Sequence, residues 1–176
     1  FYFLNKLMSS ADQNLSTIKG LPDGSGLRFS IVVSEWNEQI TEALYDACYK
    51  TLLEAGCLTE HISRTNVPGS FELPFGAKRA IDSGKFDVVI CLGCVIQGET
   101  RHFDFICDAV ANGIMKLNLD HKIPVIFGVL TPENQQQAID RAGGKHGNKG
   151  VEAAVTGLKM GRGDGSRKTV SGFSQT

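Results

Sequence analysis

Residues Phe86 to Ile96 read FDVVICLGCVI, apolar throughout except for Asp87 near the start. A strand with one wet face alternates polar and apolar side chains, and a strand covered on both faces does not. This stretch therefore predicts a strand in the middle of a sheet roofed by helices above and below. IPVIFGVL (Ile123 to Leu130) is a second run of the same kind. RFSIVVS (Arg28 to Ser34) is a third, and a fourth falls near His61 to Val67, closed by Pro68-Gly69.

Helical segments fill the intervals. Asn37 to Gly56 carries Ile40, Leu44, Ala47, Cys48, Thr51, Leu52 and Ala55 at helical spacing, with Gly56 as the stop. Phe71 to Asp82 ends at Ser83-Gly84, His102 to Leu119 follows the central strand, and Glu133 to Ala142 is a short helix. GGKHGNKG then leads into a last helix ending near Met160, which Gly157 weakens. Alternation of this kind predicts an α/β fold, a three-layer α/β/α sandwich around a central, mainly parallel four-stranded sheet with right-handed crossovers. Residues 1–26, polar and ending in LPDGSG, form a loosely held N-terminal arm with a short segment able to add a strand to a neighbouring subunit. Residues 27–160 make the domain, and 161–176 (GRGDGSRKTVSGFSQT) a flexible tail by composition. Arg162-Gly163-Asp164 matches an integrin-recognition tripeptide, for which coincidence and an appended sequence are the competing explanations.

With 176 residues the chain fits one domain, and 41% apolar with 21% charged residues is ordinary for a globular protein. A net charge of −1 gives no electrostatic reason to expect nucleic acid or an anionic membrane as partner. Nothing approaches the roughly 18 apolar residues of a spanning helix, and FYFLNKLM is too short for a signal peptide. Five scattered cysteines, an odd number, suggest reduced thiols and a cytoplasmic setting rather than a disulfide framework. Cys91 and Cys94 form a CLGC inside a strand, which favours a structural role over a zinc or redox pair. No metal or cofactor is expected.

In parallel sheets ligands bind beyond the carboxyl ends of the strands. Trp36-Asn37, Gly69-Ser70, Gly98 to His102 and Phe127 all fall at or near such ends, so four distant segments converge on one rim. GETRHFDF (Gly98 to Phe105) joins a strand to a helix start, where free N–H groups and the helix dipole favour a phosphate. Thr100 can donate to that oxyanion or simply cap the helix, and Gly98 permits a tight turn. His102, in the first helical turn, suits a neutral proton shuttle, although a lone histidine is often a surface residue. Arg141 and Lys149 flank the Gly-rich turn, where arginine suits bidentate phosphate recognition and lysine a point charge; a solvated loop is the alternative. Trp36 is either a stacking platform for a flat heterocycle or a core residue. Ser70 and Glu72 suit a polyhydroxy chain, or a helix cap and a first-turn acid. His61, His121 and His146 lack partners at ligand spacing.

The segments WN, VPGSFELPFGAK, GCVIQGETRHFDFIC, PVIFGVLT and DRAGGKHGNKGVEAA, in this order and spacing, resemble those of lumazine synthases. The resemblance runs from about Leu27 to Met160. It implies a flavodoxin-like fold and condensation of 5-amino-6-(D-ribitylamino)uracil with 3,4-dihydroxy-2-butanone 4-phosphate, giving 6,7-dimethyl-8-ribityllumazine, phosphate and water. It also implies roles. Trp36 occupies the stacking position, where many relatives carry Phe. Ser70, Phe71 and Glu72 hold the ribityl chain, while Cys94, Val95 and Ile96 line the heterocycle pocket. Glu99 and Thr100 present the phosphate site, completed by Arg141, and His102 transfers protons. Phe127 and Arg141 reach into the site of an adjacent subunit, with Asn37, Lys149 and Glu152 in support. The assemblies implied are pentamers or an icosahedral shell of sixty subunits, and the short AGGKHGNKG turn favours the shell. A silent scaffold and a flavin-like binding protein are the competing readings; retention of His102, Arg141 and Lys149 argues against both.

Overall fold

The computed structural model describes residues 20–162. Four strands, β1 (Phe29–Ser34), β2 (Ile62–Val67), β3 (Val88–Cys94) and β4 (Val125–Leu130), form one sheet in the order β2-β1-β3-β4. Every pairing in it is parallel. The two central strands β1 and β3 are buried at every position, and β2, at an edge, is mostly half-buried or exposed. The unbroken apolar run thus lies where both faces are covered.

Helices α1 (Glu38–Glu54) and α5 (Lys149–Gly161) cover one face; α2 (Leu73–Asp82) and α3 (His102–Asp120) cover the other. Alternation along the strands feeds two cores. Ile31, Val33, Ile90 and Leu92 meet Leu44, Leu52 and Leu158 on the first face. Val32, Val89 and Cys91 meet Leu73, Ala77 and Ile114 on the second. This is the three-layer, flavodoxin-like sandwich expected from the sequence.

Several boundaries move, each for a local reason. β3 stops at Cys94 rather than Ile96, although the Val95 N–H still donates to the Leu130 carbonyl at 2.8 Å. Asp87 closes the strand's other end, its carboxylate accepting the Arg28 N–H at 2.8 Å. The helix expected from Phe71 begins at Leu73, after a 3₁₀ turn over Ser70–Glu72, with Pro74 in its first turn where no N–H is needed. α4 (Gln135–Arg141) is shorter than expected because the Asn134 side chain caps it, accepting the Gln137 N–H at 3.0 Å. The Gly-rich turn contains a small antiparallel hairpin, β5 (Ala142–Gly144) with β6 (Gly147–Asn148).

Gly157 is a contact point rather than a weak spot. A Cβ there would lie 3.2 Å from Phe29 and 3.3 Å from Ile90 and Val88, so its absence lets α5 settle onto the sheet. The segment just before β1 also packs closely. The Gly24 N–H donates to the Ala55 carbonyl at 2.6 Å, and Leu21 and Leu27 rest on the first core. The Arg162 guanidinium donates to the Asp23 carboxylate at 2.5 Å, joining this segment to the end of α5. The expected pairing segment of the arm, and the tail from 163 with the rest of the tripeptide, lie outside the described residues.

Candidate active site

The carboxyl ends of β1, β2 and β3 open onto a cavity of about 430 Å³. Trp36 and Asn37 enter it from the β1–α1 loop, Ser70, Phe71 and Glu72 from the turn after β2, and Cys94, Val95 and Ile96 from the end of β3. His102, the first residue of α3, completes the wall. Trp36 and His102 therefore share one hollow.

The core alternative for Trp36 fails, since its side chain is 73% exposed and only its backbone N–H is tied, to the Pro68 carbonyl at 3.1 Å. Asn37, next along, adopts a left-handed backbone with φ 59°. Its side-chain amide donates to the Cys94 carbonyl at 2.9 Å, fastening the start of α1 to the end of β3. A non-glycine residue with positive φ is uncommon and costs energy that such a bond offsets. Glu72 closes the Pro-Gly turn, its Oε2 accepting the Gly69 N–H at 3.0 Å. Ser70 does not cap a helix, and its hydroxyl has no hydrogen-bond partner among the described residues.

Cys94 is buried, and desolvation pushes its thiol up to about 12, so it stays protonated and acts as a neutral wall. Cys91 and Cys94 project from opposite faces of β3, one into each core, so CLGC is not a chelating or disulfide pair. Among the described residues no group of three His, Cys, Asp or Glu side chains gathers as a metal site.

Glu99 and Thr100 are exposed in the loop before α3 and lie outside the cavity lining. Thr100 accepts the His102 N–H only at 3.4 Å, and α3 has no side-chain cap, which leaves its first N–H groups open to an anion. Gly98 keeps an ordinary backbone with open space where a side chain would stand. Its contribution there is room rather than a special turn.

Arg141 and Lys149 lie apart from this cavity. With Phe127 they line a second hollow of about 300 Å³ at the end of β4. Both cations converge on Glu152, 9% exposed: Arg141 at 3.3 Å from Oε1 and Lys149 at 3.0 Å from Oε2. The hairpin explains the convergence, since Arg141 immediately precedes β5 and Lys149 immediately follows β6. Two cations on one carboxylate leave an excess positive charge suited to phosphate. Within the single chain the two hollows are separate.

Sequence reasoning missed Ile106 and Gln137, which line the first and second hollows. Ile106 stands four residues after His102 on one helix face, a spacing that could have found it. Gln137 offered no such signal.

The family profile described as 6,7-dimethyl-8-ribityllumazine synthase matches residues 26–163. The chain is 61% identical over 154 residues to the 6,7-dimethyl-8-ribityllumazine synthase of Cytophaga hutchinsonii, covering 87% of this chain and 97% of that one. It is 52% identical to the enzyme of the same name from Flavobacterium johnsoniae, covering 89% and 80% of the two chains. The Parabacteroides distasonis enzyme is likewise 52% identical, with 87% and 97% covered. The arrangement of the rim and the agreement along nearly the whole chain lead to one conclusion: this protein belongs to the 6,7-dimethyl-8-ribityllumazine synthase family.

Proposed function

We propose that the two half-sites meet between neighbouring copies of the chain and there carry out the family's condensation. 5-Amino-6-(D-ribitylamino)uracil and 3,4-dihydroxy-2-butanone 4-phosphate give 6,7-dimethyl-8-ribityllumazine, inorganic phosphate and water, the penultimate step of riboflavin biosynthesis. The observation that carries this reading is the shared cavity of Trp36 and His102, combined with an anion clamp on Glu152 that the same cavity lacks.

Trp36 stacks on the pyrimidine, and Ser70, Phe71 and Glu72 hold the ribityl chain. Cys94, Val95 and Ile96 line the heterocycle's edge. The start of α3, with Glu99 and Thr100, receives the phosphate, and a neighbour's Arg141 completes the clamp. Lys149 and Glu152 hold that arginine in place, and the neighbour's Phe127 closes the pocket. Asn37 fixes the loop that bears the indole.

The substrates bring an amine, a ketone and a phosphate leaving group, so chain residues supply position and proton transfer. The amine attacks the ketone carbonyl and water is lost to give an imine. Loss of the proton from C3 then drives phosphate out from C4 and leaves an enol, which tautomerises to a second carbonyl; ring closure of the ribityl-bearing amine on that carbonyl expels a second water. His102 moves protons in these steps. Holding the two reactants together supplies several kcal/mol or more of the rate enhancement.

Assembly follows from the incomplete halves. Phe71, Phe75, Phe105, Met115 and Leu119 are exposed on the α2–α3 side, apolar surface that a second copy would cover. We read the assembly as pentamers built into an icosahedral shell. The setting is the cytoplasm, where reducing conditions keep the cysteines as thiols. No described helix is long and apolar enough to cross a membrane. Mixing both substrates with the protein tests the reading, following lumazine fluorescence and phosphate release together. Product and phosphate in equal amounts support it. A bound yellow chromophore without turnover would favour a binding protein instead.

A further inference from the structure

Ser34, the last residue of β1, is fully buried, and Ser70 is only 5% exposed. Neither hydroxyl has a hydrogen-bond partner among the described residues. Buried hydroxyls are rarely left so, because desolvation without compensation is costly. The two also share a location. A Cβ placed on Gly93 would lie 2.6 Å from Ser70 Oγ and 3.2 Å from Ser34 Oγ, so both hydroxyls crowd the same face of that glycine. Leu73 Cδ1, 2.8 Å from the same point, closes the apolar side. Only glycine at this position of β3 leaves room for the pair.

Location gives the pair a direction. Ser34 points to the α2–α3 face of the sheet together with Val32, beneath the turn that carries Ser70. Ser70 itself lines the cavity at the carboxyl end of the sheet. A serine hydroxyl has one hydrogen to donate and two lone pairs. With Ser34 donating to Ser70 through one bridging water, the Ser70 O–H is left to point outward. Without Ser34, Ser70 rotates among several orientations, none favoured.

We propose that Ser34 is a positioning residue for substrate binding: from beneath Gly93 it orients the Ser70 hydroxyl toward a hydroxyl group of the substrate's polyol chain. The inference rests on the assignment of Ser70 to the ribityl chain and adds a residue that never touches substrate. It also gives a reason for a hydroxyl at a fully buried strand position.

The test is a double-mutant cycle with Ser34→Ala and Ser70→Ala, measured on the assembled enzyme with both substrates. Ser34→Ala is expected to raise the KM for the ribitylamino-pyrimidine about three- to tenfold, the range of a lost neutral hydrogen bond. kcat and the KM for the phosphorylated ketone should stay unchanged, and the melting temperature should change little, since the hydroxyl and its hydrogen bond leave together. Ser70→Ala should act alike, and the double variant should be no worse than Ser70→Ala alone. An unchanged pyrimidine KM in Ser34→Ala alone overturns the inference and leaves the Ser70 assignment standing. No effect of Ser70→Ala removes both. Multiplying effects, or a rise in both KM values, would mean that Ser34 acts through general packing, which also overturns it.

Discussion

At Trp36, His102 and Arg141 the side chains differ in what they can contribute, and the expected losses differ accordingly. The exposed indole offers stacking area, so Trp36→Ala should raise the KM for the pyrimidine about tenfold, while Trp36→Phe keeps most of it. Steady-state kinetics at fixed ketone concentration checks this. His102→Ala should lower kcat by about 10²-fold yet keep measurable turnover, because positioning remains when proton transfer falls to water. Arg141→Ala should raise the KM for the phosphorylated ketone at least tenfold, the order of a lost charge-assisted hydrogen bond, with the pyrimidine KM unchanged. An unchanged ketone KM would remove Arg141 from the clamp. Cys94, with its thiol held at about 12, should leave no inflection in the pH–rate curve between neutrality and pH 9, and Cys94→Ala should give the same curve. At this scale residue types were legible but not their company. Nothing in GGKHGNKG says that Glu152 gathers both flanking cations, because that meeting depends on a hairpin whose strands are only two and three residues long.

Among the elements, legibility followed burial. β1, β3 and β4 could be read directly because two covered faces demand a continuous apolar run. β2 was harder, since it is only partly covered and keeps polar residues such as Asn66 exposed. The 3₁₀ turn over Ser70–Glu72 was invisible because its sequence reads equally well as a helix start. The glycines of α5 separate helix propensity from packing. A Cβ on Gly150 would fall 1.9 Å from the Leu44 carbonyl oxygen, a backbone atom of α1 that cannot step aside. Gly150→Ala should therefore destabilise the protein by about 3 kcal/mol or more, if it folds at all. Gly157→Ala meets only side-chain ends at 3.2–3.3 Å, so it should cost about 1 kcal/mol or less, helped by alanine's better helix propensity. Denaturant melts of both variants test the contrast; equal losses would contradict it.

For the whole molecule, the split between the two hollows sets the decisive experiment. If each site takes His102 from one copy and Arg141 from the next, His102→Ala and Arg141→Ala chains assembled together should regain about a quarter of their sites intact, as random mixing in a closed ring requires. Sites confined to one chain would regain none. Light scattering addresses the shell, which a lone pentamer would exclude. None of this was legible in the sequence without the family likeness, because a single chain's pattern carries no record of what its neighbour provides.

The Asp23–Arg162 bond has an outcome of a different sort. It moors the entry to β1 beside the exit from α5, so the body of the fold nearly closes on itself. A short bridge from residue 162 to residue 20, with a cut at the Ser83-Gly84 bend, should yield a circularly permuted protein that refolds to the same sandwich. Arg162 also reaches any would-be receptor already engaged, so a cell-adhesion readout of its tripeptide would first have to win that guanidinium back from Asp23.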